Sequence, residues 1–414
     1  MARRAILARL PMGMTDRIDA EALDAVDPLA RFRDEFVIGD EPRIYLDGNS
    51  LGRLPHRTVA RLAEGVEGWG TRLVQGWEEW IELPVAVGDR LAAACLGARP
   101  GEVLIGDSTT VNLFKLAHAA LDLRPAGPVV TDVANFPTDR YVLERVAAAR
   151  GRELVLADDA EDAVALPGAA LVCLSHVDYR SGRLLDLPAV TTSTGALVLW
   201  DLSHSVGAVL IDLSAADLAV GCTYKYLNAG PGAPAFLYVR RELQAELSSP
   251  IQGWFGQREQ FAMGPRYDPA DGIERFHAGT PPVLGILAVD AAVELIAEAR
   301  IERIATKGAQ LTELIIGLHD AWLVPLGFEL ATPRSAGERG SHVALRHPDG
   351  WPIARALIER AGVIPDFRPP DLVRLGVPAL YTRFVDVWDA MQRLRDLVAR
   401  GEHRTVSAAP RRVT

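Results

Sequence analysis

The chain has 414 residues, 49% of them hydrophobic and 24% charged, with a formal net charge of −10. That length is more than one small core needs and suits a large domain joined to a smaller one, while the negative charge disfavours nucleic acid, whose phosphates would be repelled. Three widely spaced cysteines (Cys95, Cys173, Cys222) fit neither a disulfide framework nor a zinc knuckle and suit a reducing cytoplasm, and no apolar run reaches the roughly 18–20 residues that span a bilayer.

The opening MARRAILARLPMGM is positively charged, but its apolar part is too short for a signal peptide and lacks a small-residue cleavage site. It reads as a frayed extension ahead of Met14, and residues 1–40 read as an extension and arm. Residues 57–80 read as helix and carry Trp69, Trp77 and Trp80. Short, continuous, β-rich apolar runs follow at Pro128–Val133, Glu153–Ala157, Ala169–Ser175, Ala196–Asp201, Leu218–Cys222 and Ala235–Val239. Such runs are expected of strands covered on both faces. Helical stretches such as Thr138–Arg150 lie between them, so an α/β fold with a mostly parallel sheet is predicted. Leu284 to Leu323 reads as one long helix. Beyond Pro333, strands at Ser341–Arg346 and Leu372–Gly376 alternate with helices at Pro352–Ala361 and Thr382–Val398, as in a small α+β domain. The expected division is a large domain over 41–300 and a small one over 301–414, to which the N-terminal segment can contribute.

The segment Trp200-Asp201-Leu202-Ser203-His204 ends one predicted strand, and Thr223-Tyr224-Lys225-Tyr226 follows the next. Ligands sit beyond the carboxyl ends of strands in open α/β sheets, so Asp201 and Lys225 are expected to share a cleft. Pyridoxal-phosphate (PLP) chemistry needs this pair: a lysine that condenses with the aldehyde, and a carboxylate that keeps the pyridine nitrogen protonated. A lysine between two tyrosines, ahead of Asn-Ala-Gly-Pro-Gly, is an odd place for a merely solvated side chain. Elsewhere the local sequence leaves more room. Thr109 and Thr110 at a helix start favour an anion or simply cap it. Phe136 after a strand suits a ring stack or the core, and Asp139 suits a second acid or an ordinary helix start.

These segments resemble the cofactor motifs of kynureninases, within the fold-type-I PLP group. Four further stretches agree: Tyr45-Leu46-Asp47-Gly48-Asn49-Ser50-Leu51-Gly52, Gly253-Trp254-Phe255-Gly256 with Gln260-Phe261-Ala262-Met263, Ala278-Gly279-Thr280-Pro281-Pro282, and Arg374-Leu375-Gly376 with Leu380-Tyr381-Thr382. The resemblance covers about residues 43–398. It implies PLP as cofactor and hydrolytic Cβ–Cγ cleavage of L-kynurenine to anthranilate and L-alanine. It further implies that Thr109 and Thr110 hold the phosphate and that Phe136 stacks on the pyridine. Asp201 and Asp139 would lie near the ring nitrogen, with Ser175 and His204 lining the cofactor. Lys225 is the implied anchor and proton carrier, and Tyr224 the acid–base partner at the ketone. Arg374 would clamp the substrate carboxylate, with Asn49 and Trp69 also against substrate. Trp254 and Thr280 match residues that reach the phosphate from a partner subunit, which implies a C2 homodimer with shared sites. No metal, nucleic-acid or membrane partner is expected, and the location expected is the cytoplasm.

Three rivals follow. A class V aminotransferase or cysteine desulfurase shares the fold, but a desulfurase needs a reactive cysteine on a mobile loop, whereas Cys222 reads as part of a buried strand and Cys95 as part of an Ala-rich helical stretch. The 3-hydroxykynurenine-preferring forms resemble this chain too, although they tend to carry Asn where Thr280 stands. A catalytically dead PLP-fold protein would lack Lys225 or Asp201, and both are present.

Overall fold

A short strand, β1 (Ile44–Tyr45), precedes seven that build the central sheet: β2 (Val103–Ile105), β3 (Val129–Asp132), β4 (Leu154–Ala157), β5 (Leu171–Ser175), β6 (Leu197–Asp201), β7 (Leu218–Gly221) and β8 (Phe236–Val239). Five more lie toward the carboxyl end: β9 (Glu329–Leu330), β10 (His342–Arg346), β11 (Val363–Ile364), β12 (Asp366–Arg368) and β13 (Leu372–Gly376). They belong to a computed structural model that describes residues 15–39, 43–124 and 126–406. The expected frayed start lies outside the described residues.

The central sheet has the order β2-β8-β7-β6-β5-β3-β4. Its pairs are parallel from β4 through β7, and β8 runs against both of its neighbours. Every residue of β6, β7 and β8 is buried, as a sheet covered on both faces requires. Trp200 on β6 is fully buried, and its indole N–H donates to Thr191 Oγ1 at 3.0 Å.

The six strands read for the central sheet are all present, each trimmed by a residue or two, and so are the two read beyond Pro333. Two long helices are not. The 57–80 stretch is a helix over His56–Arg72, a tight turn at Leu73–Gly76 and a single turn at Trp77–Trp80, because Leu73 takes a left-handed φ of 50°. The 284–323 stretch is two helices, Val283–Ala299 and Ile301–Leu318, broken at Arg300 with φ 69°. Non-glycine residues rarely hold such angles, and neither Leu73 nor Arg300 is the glycine that would have advertised one.

The carboxyl-terminal strands β12-β13-β10-β9 form an antiparallel sheet. A separate apolar core lies against it, built from residues such as Leu311, Leu345, Leu357, Val373 and Met391 together with Ala20, Ile44 and Leu46. The amino-terminal residues reach this core because Asp24 caps the helix Phe384–Ala399, accepting from Phe384 N at 2.7 Å and Val385 N at 3.0 Å. A parallel ladder between β1 and β11 and a buried Lys307–Asp27 ion pair at 2.7 Å add to the tie.

Candidate active site

The carboxyl ends of β3, β5, β6 and β7 converge on one side of the central sheet, where open α/β sheets bind ligands. Asp201 ends β6, Ser175 ends β5, and the two are register partners. Asp201 accepts from Ser203 N at 2.8 Å, which fixes the turn beyond the strand. Asp139 sits in the first turn of the helix Pro137–Ala149, just past β3, buried and with Oδ2 unpartnered. Burial, and then the charge of neighbouring Asp201, push Asp139 well above the usual carboxylate range, so Asp139 favours holding its proton.

Lys225 follows β7 and is half-buried. Its Nζ lies 3.4 Å from His204 Nε2, 5.8 Å from the Phe136 ring centre and 5.9 Å from that of Tyr224. Burial, and then the Lys225 charge, pull His204 well below its ordinary value. A neutral ring results, able to accept a hydrogen bond from the amine. Burial pushes the Tyr224 phenol up, so it keeps its proton and can donate it. Asn135 orders the opposite wall: its Oδ1 accepts from Phe136 N at 2.7 Å and from Ser175 Oγ at 2.8 Å.

Ahead of the helix Thr109–Leu123, Ser108 is the cap, accepting from Val111 N at 3.3 Å. Thr109 is half-buried and Thr110 exposed in that first turn. The preceding Asp107 holds a φ of 53° and pairs with buried Lys115 at 2.7 Å, while Lys115 also donates to Phe276 O at 2.7 Å.

Arg374 on β13 is fully buried. Burial lowers it to about 10, with Asp47 opposing. Asn49 is buried with both amide atoms unpartnered, and it lies against Gly376, where a Cβ would meet Asn49 Oδ1. Asp47 feels Arg374, Arg368 and Lys225, which ties this group to the lysine. Lys225, Tyr224, His204, Phe136, Asp139, Asp201 and Ser175 thus gather at one sheet edge, with Arg374 and Asn49 adjoining. Trp69 and Thr280 line one open groove together with Trp77, Trp80 and Pro281. Trp254 is 42% exposed, its N–H donating to Gln260 O at 2.6 Å. Among the described residues these three make no hydrogen bond or ring contact with the Lys225 group.

Four residues near the site escaped sequence reasoning: Asp47, His342, Asp366 and Arg368. His342 is fully buried, with both ring nitrogens unpartnered and its ring 5.9 Å from that of His204. A signal for Asp366 existed. Pro369-Pro370-Asp371 separates two strand-like runs, and that turn sets Asp366 across from Arg374.

Comparison with known proteins decides the family. The chain is 42% identical over 407 residues to the kynureninase of Pseudomonas fluorescens, covering 94% of this chain and 96% of that one. It is 43% identical over 406 residues to the kynureninase of Burkholderia pseudomallei strain K96243, covering 93% and 96%. The chain belongs to the kynureninase family. A profile of the kynureninase C-terminal domain matches residues 304–394, and one of class V aminotransferases matches 91–347. Kynureninases are PLP-dependent hydrolases of carbon–carbon bonds, and the fold is that of the fold-type-I PLP enzymes. Among solved structures, the apo cysteine desulfurase of Thermococcus onnurineus superposes with a TM-score of 0.75 at 19% identity, over 95% of this chain and all of that one. A C-DES mutant with glycine covalently linked to its PLP cofactor superposes at 0.76 and 18% identity, over 88% and 99%. At that identity the likeness is one of fold alone. The three cysteines are buried and unpaired, and burial raises Cys95 to about 12, far from a reactive thiol.

Proposed function

We propose that the chain hydrolyses L-kynurenine to anthranilate and L-alanine, with Lys225, Tyr224 and Asp201 as the catalytic groups. The observation that carries this is the Lys225 amine beside a neutral histidine and aromatic faces, opposite a buried carboxyl pair with one oxygen unpartnered. Such a set suits PLP. Asp201 and Asp139 would face the ring nitrogen, Phe136 the ring, Ser175 and His204 its rim, and Thr109 and Thr110 the phosphate. When bound, the cofactor supplies an electron sink for charge developing on the substrate. Arg374 holds the α-carboxylate and Asn49 borders it. Lys225 takes the proton from Cα, and His204 beside it holds the amine by accepting its hydrogen bond. Tyr224 protonates the side-chain ketone as water adds. The Cβ–Cγ bond then breaks: the water oxygen leaves in anthranilate, Cβ takes a proton to become the alanine methyl, and Lys225 returns a proton to Cα.

The same reading makes the enzyme a homodimer with shared sites, Trp254 and Thr280 completing the partner's phosphate cradle. Its support is the exposed apolar surface on the segments that carry them and on the Trp69 helix: Phe261 and Met263 at 71%, Leu73 at 64% and Trp69 at 59%. Trp69 and Thr280 in one groove favour kynurenine over its 3-hydroxy form. Residues 41–300 are taken as the large domain and 301–414, joined by the amino-terminal arm, as the small one. Support comes from the second apolar core and the helix break at Arg300. Unpaired thiols suit the cytoplasm, and the reaction suits tryptophan and kynurenine degradation or a route to NAD. No helix among the described residues is long and apolar enough to cross a membrane.

The test is anthranilate fluorescence on purified enzyme, with borohydride fixation of the cofactor and peptide mapping. Lys225→Ala is expected to abolish both turnover and fixation. Near-normal anthranilate formation by that variant would sink the assignment.

A further inference from the structure

Arg374 on β13 stands directly across the antiparallel ladder from Asp366 on β12. Its Nε donates to Asp366 Oδ2 at 2.6 Å, its Nη2 donates to the same oxygen, and its Nη1 donates to Tyr179 O. A guanidinium has five N–H groups. Asp366 closes the edge formed by Nε and Nη2. What remains is the end-on edge, with one N–H on each terminal nitrogen, and that edge still matches a carboxylate in bidentate fashion. Asp366 is only 2% exposed, and its Oδ2 also forms an ion pair with Arg368 Nη2 at 3.3 Å. Arg368 is half-buried and keeps its own Nε unpartnered. Two guanidinium groups thus share one carboxylate oxygen, which leaves the Asp366 side chain little freedom.

We infer that Asp366 is a positioning residue for substrate binding: it locks the side-on edge of Arg374, so that only the end-on edge receives the α-carboxylate, and Arg368 steadies Asp366. The inference rests on Arg374 being the carboxylate clamp and adds how that clamp is aimed. A guanidinium held along one edge is pre-organised, so less freedom is lost when the substrate arrives. The same pair could serve only to hold β12 to β13, and the test must separate the two roles.

The holoenzyme is assayed with L-kynurenine for KM and kcat, and with its decarboxylated amine for an inhibition constant. Asp366→Asn is expected to raise KM roughly tenfold, the worth of one charge-assisted hydrogen bond. The amine constant stays within about twofold and kcat falls less than about threefold, the split expected when carboxylate binding alone is lost. Arg374→Gln is the reference and raises KM at least as much. An unchanged KM for Asp366→Asn beside a raised KM for Arg374→Gln overturns the positioning role and leaves the clamp standing. An unchanged KM for Arg374→Gln overturns the clamp itself. If amine and amino acid weaken together in Asp366→Asn, the residue is structural only and the inference fails. Should Asp366→Asn not fold, Asp366→Glu decides, since it keeps the charge and moves the carboxylate by one methylene. A raised KM with the amine unmoved upholds the inference, and an unmoved KM overturns it.

Discussion

Lys115→Met removes a cation on which two parts of the fold depend. Lys115 is 1% exposed and donates to Asp107 Oδ2 and to Phe276 O, both at 2.7 Å. Methionine fills most of the same volume, so the loss is electrostatic rather than a cavity. Removing one partner of a buried ion pair costs about 3–5 kcal/mol. Asp107 keeps 28% of its side chain in water, which moves that figure toward the lower end, while Phe276 O loses a donor at about 1–3 kcal/mol. A destabilisation of roughly 3–5 kcal/mol is therefore expected, read from urea unfolding by tryptophan fluorescence. Asp107→Asn keeps a residue type that tolerates the left-handed φ of 53°, so it isolates the charge. The double variant is expected to lose less than the two single losses combined, by about 1.5 kcal/mol or more. Because the Asp107 turn presents Thr109 and Thr110, the single variants should also release PLP faster on dialysis. Additive losses, or a Lys115→Met loss under about 1 kcal/mol, would show that the pair does not hold this turn.

Burial holds His277 down to about 4 from 6.5. Its contribution to stability is present above the unfolded value of 6.5 and is lost as pH falls toward 4, amounting to about 2 kcal/mol at pH 5. His277→Gln should flatten the acid side of a urea-midpoint profile by that amount, and an unchanged slope would refute the shift. Gly253→Ala would drive a Cβ to 1.5 Å from Ala278 O, a backbone clash that separates the Trp254 and Thr280 segments. Size-exclusion chromatography and cofactor retention should both register it, and a dimer that keeps its PLP would refute the proposed partner contribution.

The parts of the fold visible in the sequence are those whose physics is local. β5 to β8 are buried throughout or nearly so, and that condition writes itself as continuous apolar runs. β2 has three residues, too few to distinguish from the end of a helix. The breaks at Leu73 and Arg300 fall on residues that are neither glycine nor proline, so their positive φ left no mark in the sequence. Lys225 and Asp201 were legible because each immediately follows or ends a strand, and strand ends converge on a common edge. Asp139 was legible as a site residue, but its raised proton affinity was not. That property needs the order β6-β5-β3, which brings the segment after β3 against the end of β6.

Asp366 and His342 mark the limit of such reading. Neither belongs to a recognisable run of chemistry-bearing residues: the Pro369-Pro370 turn hints at the pairing that holds Asp366, but the role of each residue comes from the sheet of the carboxyl-terminal region. β10 carries His342 and pairs with β13, so His342 is opposite Gly376 and two register positions from Arg374. β12 pairs with the other side of β13 and puts Asp366 against Arg374. One strand therefore aligns the guanidinium with its acidic partner on one flank, while the other flank ends in a buried imidazole beside His204. A one-residue slip of β12 would turn Asp366 to the opposite face and release the side-on edge of Arg374. Substrate recognition in this arrangement is set by strand register as much as by the identity of the arginine.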